Sequence, residues 1–149
     1  AAELARRLAD HRVEKDVPPN LPFAKADPAL LERALINVLD NAAKYSAPAT
    51  CIRIGARAAR DRIMLTVSDE GSGIPENELE HIFDKFYRAK EADRRIAGTG
   101  LGLAVARGFV EAFGGALTAS NRTDRRGAIF YMDIPAATGD EAEHGIQTS

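Results

Sequence analysis

The order of hydrophobic patterns along the chain constrains its fold more than any single motif does. Segments with apolar residues at every second position, typical of strands, alternate with segments whose apolar residues recur every three or four positions, typical of helices. The predicted elements are a short helix or linker (1–9), a strand (11–17), a helix (27–45), strands (50–58 and 62–69), a short helix (76–83), a helix (99–113) and strands (115–121 and 127–134). Strands interrupted by helices, with a hairpin at the end, predict an α/β two-layer sandwich with helices on one sheet face.

Composition agrees with one globular domain. The 149 residues are 45% hydrophobic and 28% charged, as is usual for a folded domain. A formal net charge of −2 lacks the basic footprint of a nucleic-acid-binding domain. No apolar run approaches the ~20 residues that cross a membrane, and the arginine-containing start does not resemble a signal peptide. The single Cys51 cannot form an internal disulfide, which is consistent with a reducing compartment.

The predicted helix 27–45 carries a polar stripe. Asn37, Asn41 and Lys44 are spaced i, i+4, i+7 and therefore line one helix face. A separate apolar stripe can pack on a sheet, and it consists of Leu31, Leu35, Val38 and Ala42. Asp27 is a plausible N-cap, and Pro28 suits the first helical position.

These polar side chains suit a site where a hard cation meets phosphates. An asparagine can offer its amide oxygen to Mg²⁺, while a lysine donates to phosphate oxygens. Tyr45, next along the chain, could cover a base or a ribose. The alternative is a helix with a solvated polar edge, which is the commoner explanation and the favoured one for this segment taken alone.

A second stretch, Asp69-Glu-Gly71-Ser-Gly73, follows a predicted strand whose apolar positions are Ile63, Leu65 and Val67. The glycines allow backbone conformations or close approaches that a Cβ would block. A carboxylate that accepts from an exocyclic amine, beside glycines that admit a flat ring, can select adenine. The alternative is a common Asp-Gly turn, which taken singly is favoured.

A third stretch places Gly98, Gly100 and Gly102 before an apolar helical run of Leu103, Val105, Ala106, Phe109 and Val110. It differs from the dinucleotide-binding fingerprint in spacing, and neither a preceding strand nor a βαβ unit accompanies it. Backbone N–H groups at such a helix start can bind phosphate. The alternative is a flexible loop that ends in a glycine-containing helix start.

Together, in this order, the stretches resemble the sensor histidine kinases. Asn37-x-x-x-Asn41-Ala-x-Lys44 is similar to their N box, Asp69-x-Gly71-x-Gly73 to the G1 box, residues 82–88 to the F box and residues 98–103 to the G2 box. Within this family, the sequence most resembles the potassium-sensor kinases. The resemblance implies the catalytic and ATP-binding domain of the GHKL superfamily, with the Bergerat fold: a mixed sheet, helices on one face and a mobile ATP lid within 74–97.

The resemblance also implies roles for individual residues. Asn41 would bind Mg²⁺, Asp69 would contact the adenine amine, Lys44 and Arg88 would approach the phosphates, and Tyr45 would lie near the nucleotide. Further ATP-binding positions would be Gly71, Gly73, Ile74, Gly98, Thr99, Gly100, Leu101, Gly102 and Leu103.

The same resemblance implies roles other than ATP binding for two aromatic residues of the F box and one amide of the N box. Phe83 and Phe86 are expected to support the lid by packing. Asn37 stands where related ATPases carry a general-base glutamate, so its amide argues against water activation and favours a kinase over an ATPase.

The phosphoacceptor is expected on another domain. His11, His81 and His144 all lack the H-E-x-x-x-P-like setting of a phosphorylated histidine. The chain should therefore bind ATP and Mg²⁺ without phosphorylating itself. Its expected partners are the histidine-bearing dimerisation domain of the same full-length protein and a response regulator, with no nucleic acid and no direct membrane contact.

The resemblance also gives expectations for the limits and location of the domain. A linker at 1–9, a catalytic domain at 10–135 and a loose tail at 136–149 are expected. We expect a monomeric fragment, from the cytoplasmic portion of an inner-membrane protein.

Three other functions remain open. An anti-sigma-type protein serine kinase would phosphorylate a serine of a small partner, although the F box argues against it. A stand-alone ATPase would release phosphate steadily, against which Asn37 argues. A degenerate, non-enzymatic docking module would not bind ATP, yet the motif residues for binding are present.

Overall fold

The computed structural model describes residues 6, 8, 9, 11–85 and 102–137 of the chain. The elements of this part are β1 (Arg12–Asp16), α1 (Pro28–Tyr45), β2 (Cys51–Ala59), β3 (Arg62–Ser68), a 3₁₀-helix (Glu76–Glu78), α2 (Gly102–Ala112), β4 (Ala116–Asn121) and β5 (Ala128–Pro135). All five predicted strands and the helix from residue 28 are confirmed to within one residue at each end. For the predicted helix 99–113, the first three residues lie outside the described ranges, as does most of the predicted linker at the start.

The predicted short helix 76–83 is wrong in type and length. Only Glu76–Glu78 form a 3₁₀-helix, and turns continue from there to Asp84. The backbone bonds here join each N–H to the carbonyl three residues earlier, as in Leu79 to Glu76 and His81 to Glu78. This tighter bonding pattern is normally limited to a few residues, so the segment does not extend as an α-helix.

The strands form one mixed sheet in the order β1-β2-β3-β5-β4. The β1 strand runs parallel to β2, whereas the other three pairings are antiparallel. The predicted final hairpin is β4–β5. The first two residues of the predicted tail are attached to the fold, because Ala136 forms a bridge with Ala24 and the Ala137 N–H donates to the Phe23 carbonyl at 2.8 Å.

The core lies between one face of this sheet and the two helices. Its largest fully buried side chains are Phe130, Ile52, Ile63, Ile134, Val38 and Val110, of which the last two come from α1 and α2. On the opposite face of the sheet, Arg53, Arg57 and Met64 are exposed. The predicted two-layer α/β sandwich is therefore confirmed. Neither α1 nor α2 is long and apolar enough to cross a membrane, nor is any other helix in the described part.

Helix α1 begins where Asp27 and Pro28 predict. The Asp27 Oδ1 accepts from the N–H groups of Ala29 and Leu30 at 2.9 and 3.2 Å, and Pro28 occupies the first turn. At the other end Ser46 is extended, and its N–H donates to the Ala42 carbonyl at 3.1 Å. The buried residues of α1 are Leu31, Ala34, Val38, Leu39, Ala42 and Ala43, so the buried stripe is broader than predicted and Leu35 lies at its half-buried margin.

Candidate functional site

The carboxylate of Asp69 is held rigidly at the end of β3. The residue is only 4% exposed. Its main-chain N–H donates to the Ala128 carbonyl at 3.0 Å, and its Oδ1 accepts from the N–H groups of Gly71 and Ala128 at 2.9 and 3.1 Å. Both hydrogen bonds of this carboxylate within the described residues end on Oδ1. The Oδ2 atom is therefore the one available to accept from a ligand.

Burial raises the pKa of the Asp69 carboxyl above its ordinary value. The N–H donors of Gly71 and Ala128 and the cation of Arg122 act in the opposite direction, but desolvation is the largest effect. A charged carboxylate that is short of donors in this way gains from any additional N–H group that reaches it. The environment thus favours a ligand that brings a hydrogen-bond donor to Oδ2.

Two glycines of the loop Asp69–Ile74, here called the Asp69 loop, are required by its geometry. A Cβ on Gly71 would lie 2.6 Å from the carbonyl oxygen of Tyr45, so the loop passes directly against the end of α1. Gly73 has φ of +80°, a conformation that other residues rarely adopt. The expectation that these glycines allow close approach and unusual backbone conformation is confirmed.

Two residues from the end of β4 and the turn after it also bind the Asp69 loop, and the sequence did not indicate them. The Asn121 Oδ1 accepts from Ile74 N at 2.6 Å, while its Nδ2 donates to Ile74 O at 2.6 Å. Arg122 donates from Nη1 to the Asp69 carbonyl at 3.1 Å and is held by the Asp124 carboxylate at 2.9 and 3.0 Å. These contacts join residues 47 and 53 positions apart. The one local sequence feature that could have drawn attention to them is that Asn121 and Arg122 precede a turn ending in Gly127.

The predicted polar stripe of α1 lies at the edge of the buried surface. Asn37, Asn41 and Lys44 are all half-buried on this helix. The Lys44 ammonium pairs with Asp40, one turn earlier, at 3.2 Å, and its side chain is 17% exposed. The roles predicted for the three residues in binding phosphate or metal stay predictions. The carbonyl of Tyr45 contacts the Asp69 loop, whereas its predicted place beside the nucleotide stays a prediction.

The predicted glycine-rich stretch is described only from its last glycine onward. Helix α2 is described from Gly102, with open space where a Cβ would lie, and Leu103 packs partly against the core. The first N–H groups of any α-helix have no partner within the helix, which makes this end a suitable anion site. The predicted site residues Arg88, Gly98, Thr99, Gly100 and Leu101 lie outside the described residues, as do Phe86 and His144.

Phe83 packs against the core, whereas its predicted support of the lid stays a prediction. Its ring meets Phe130 edge to face, with centroids 6.3 Å apart and planes at 88°. The guanidinium of Arg107, from α2, lies 5.5 Å from the centroid of the same ring. Phe83 therefore ties the turns after the 3₁₀-helix to both the sheet and α2.

Among residues 11–85 and 102–137, no group of three or more His, Cys, Asp or Glu side chains could hold a metal ion. The half-buried Asn41 of α1 could offer one amide oxygen to a cation, beside the oxygens of ligand phosphates. That donor set fits Mg²⁺, which commonly takes one or two protein ligands together with substrate phosphates and water.

The chain is similar to known proteins over most of its length. The family model described as histidine kinase-, DNA gyrase B-, and HSP90-like ATPase matches residues 26–138. The sensor protein KdpD of Mycobacterium tuberculosis (strain H37Rv) is 43% identical over 113 residues, which is 76% of this chain. The chain spans 13% of the length of that relative.

Solved structures agree in fold. The mycobacterial sensor histidine kinase MprB has a TM-score of 0.79 at 31% identity, over 91% of this chain and 90% of that one. Full-length ShkA in complex with AMPPNP has a TM-score of 0.76 at 26% identity, over 93% of this chain and 29% of that one. From the family match and the shared fold, we conclude that the chain belongs to the histidine kinase-, DNA gyrase B-, and HSP90-like ATPase family.

Proposed function

We propose that the chain is the ATP-binding catalytic domain of a two-component sensor histidine kinase. It would present Mg-ATP for γ-phosphoryl transfer to a histidine on a separate dimerisation domain. The observation that carries this proposal is the Asp69 carboxylate, buried at the end of β3 with Oδ1 bonded to two main-chain N–H groups. Membership of the family and the sensor kinases among its relatives support it.

Adenine recognition would depend on Asp69. Its Oδ2 would accept from the exocyclic amine, and the base would lie against a loop where Gly71 and Gly73 present no side chain. Because burial disfavours the unpaired charge, the amine would relieve part of that cost on binding. Tyr45, at the end of α1, would cover the nucleotide, and Ile74 would contact it from the end of the loop.

The phosphates would lie between α1 and the start of α2. Asn41 would hold Mg²⁺, which when bound offsets the negative charge of the phosphates. Lys44 would exchange its contact with Asp40 for a phosphate oxygen. Arg88, the glycine-rich residues 98–102 and the N–H groups at Gly102 and Leu103 would complete the phosphate contacts.

The amide at position 37 favours a kinase over an ATPase. An asparagine side chain cannot accept the proton of an attacking water, so Asn37 would not act as a general base. The chain would hold ATP in position while the partner histidine supplies the nucleophile. Phosphoryl transfer to a protein is therefore favoured over steady hydrolysis.

The partners and location follow from the same proposal. The dimerisation domain of the same full-length protein would receive the phosphoryl group, and a response regulator would take it onward. Residues 10–135 would form the catalytic domain, within the cytoplasmic portion of an inner-membrane protein.

A phosphate-transfer assay tests the proposal. The chain is incubated with Mg²⁺ and γ-labelled ATP, alone and with the dimerisation domain of its full-length protein. We expect no self-labelling, little phosphate release, and acid-labile label on the added domain. Steady phosphate release by the chain alone would instead identify an ATPase, and acid-stable label on a serine would identify a serine kinase.

A further inference from the structure

The β4–β5 hairpin contacts the Asp69 loop at both of its ends. At the far end, Asn121 closes a two-way amide pair with the main chain of Ile74, at 2.6 Å in each direction. At the near end, Arg122 donates to the carbonyl of Asp69 at 3.1 Å. Both side chains therefore bind the backbone of the loop, so their contacts do not depend on the loop's own side chains.

The guanidinium of Arg122 is itself fixed in place. Its Nε and Nη2 atoms donate to the two oxygens of Asp124 at 3.0 and 2.9 Å, which leaves Nη1 directed at Asp69. The side chain is only 10% exposed. A planar fork that satisfies a carboxylate on one side and a carbonyl on the other cannot rotate without losing a bond.

The loop and the hairpin lie too close together for a side chain at Gly73 or Gly127 to fit between them. A Cβ on Gly73 would lie 2.9 Å from the Asn121 Oδ1, and a Cβ on Gly127 would overlap the carbonyl of Asp69. The hairpin and the loop therefore pack backbone to backbone, with Asn121 filling the remaining space. Replacing the side chain of Asn121 or Arg122 would therefore shift the carboxylate of Asp69.

We propose that Asn121 and Arg122 are positioning residues that hold the Asp69 loop in the geometry that recognises adenine. This inference rests on the proposed function, because it assigns the two residues to the same nucleotide. Neither residue needs to touch the nucleotide. Their effect would pass through the main chain of Asp69 and Ile74 to the direction of the Asp69 Oδ2.

The test compares ATP with inosine triphosphate, which carries a carbonyl oxygen in place of the adenine amine. Calorimetry gives both dissociation constants for the wild type and for Asn121→Ala, Arg122→Ala and Asp69→Ala. In the wild type we expect ATP to bind about tenfold more tightly or better, because a hydrogen bond to a charged group is lost with inosine. The preference is expressed as the dissociation constant of inosine triphosphate divided by that of ATP. In Asn121→Ala and Arg122→Ala this ratio should fall toward that of Asp69→Ala, while inosine triphosphate affinity changes little.

Two further variants separate positioning from folding. Asn121→Asp has the same shape and keeps the acceptor for Ile74 N but loses the donor to Ile74 O, so an intermediate ratio is expected. Arg126→Ala alters an exposed arginine in the same turn and should leave the ratio and the melting temperature unchanged. Thermal unfolding of each variant shows that the comparison is made between folded proteins.

The outcomes are distinguishable. Loss of the ATP preference in folded Asn121 and Arg122 variants, with Arg126→Ala unchanged, supports the inference. A full wild-type preference for ATP that persists in folded Asn121→Ala and Arg122→Ala overturns the inference and leaves the proposed function intact. Equal binding of both nucleotides by the wild type, or no binding, overturns the adenine assignment and the inference with it.

Discussion

At Asp69, burial and hydrogen bonding act on one carboxylate in opposite directions. Desolvation raises its pKa, while N–H groups from Gly71 and Ala128 favour the charged form at Oδ1 only. A carboxylate in this state costs the free domain stability at neutral pH, and that cost is the reason it can gain from a ligand amine. For the stability of the free domain alone, a neutral side chain would be favoured at this position.

We predict that Asp69→Asn stabilises the free domain and weakens ATP binding. Asparagine can keep both bonds at Oδ1 without the buried charge, but its amide would turn a donor toward the adenine amine. ATP affinity should fall on the order of 10- to 100-fold. Urea unfolding measures stability and calorimetry measures affinity.

The stability gain of Asp69→Asn should depend on pH. Since the folded pKa of Asp69 is raised, the wild type bears its full cost above that pKa and loses it as pH falls toward the ordinary aspartate value. The difference between the two proteins should therefore be largest at neutral pH and close on acidification. A variant less stable than the wild type at pH 7 would contradict the explanation.

Asn41 gives a second prediction for a single residue. If its amide oxygen holds Mg²⁺, Asn41→Ala should abolish the part of the ATP affinity that depends on Mg²⁺. Titrations with Mg²⁺ and with a chelator measure this difference. Glu32→Ala, which changes an exposed residue on the same helix, is the control and should keep the Mg²⁺-dependent part of the affinity. An unchanged response to Mg²⁺ in Asn41→Ala would place the cation elsewhere.

At the scale of elements, the site depends on how closely the Asp69 loop approaches α1 and the β4–β5 hairpin. Gly71→Ala would place a Cβ 2.6 Å from the Tyr45 carbonyl, and a helix backbone has little freedom to withdraw. We predict a loss of about 1–3 kcal/mol of unfolding free energy, together with weaker ATP binding. Urea unfolding and calorimetry measure the two effects.

Gly108→Ala is the matched control for this change. Gly108 lies on the exposed side of α2, with open space where a Cβ would be, so alanine should raise stability by about 0.5–1 kcal/mol. Equal effects of the two substitutions would mean that the close approach at Gly71 does not constrain the loop.

The strands, α1 and the glycines of the Asp69 loop were predictable because their signals are local. Asp27 marks the start of α1, and alternation at Ile63, Leu65 and Val67 marks β3. The contacts of Asn121 and Arg122 were not predictable, since they depend on the hairpin and the loop meeting across the fold. The type and length of the short helix predicted at 76–83 were wrong because the i to i+3 bonding of a 3₁₀-helix leaves no distinct hydrophobic period over three residues.

At the scale of the whole molecule, the chain is expected to be a monomer. The proposed function assigns dimerisation to the histidine-bearing domain, and the chain spans only 13% of its relative KdpD. Light scattering at increasing concentration should give the mass of one chain, 16.0 kDa. A defined dimer in solution would contradict this assignment.

The central claim is that this domain holds Mg-ATP, and calorimetric titration of ATP in the presence of Mg²⁺ tests it most directly. We predict saturable binding at one site, with a dissociation constant in the low millimolar range or tighter, which corresponds to at least about 4 kcal/mol of binding free energy. A titration that shows no saturable heat at several millimolar ATP, with a protein that unfolds cooperatively, would contradict it.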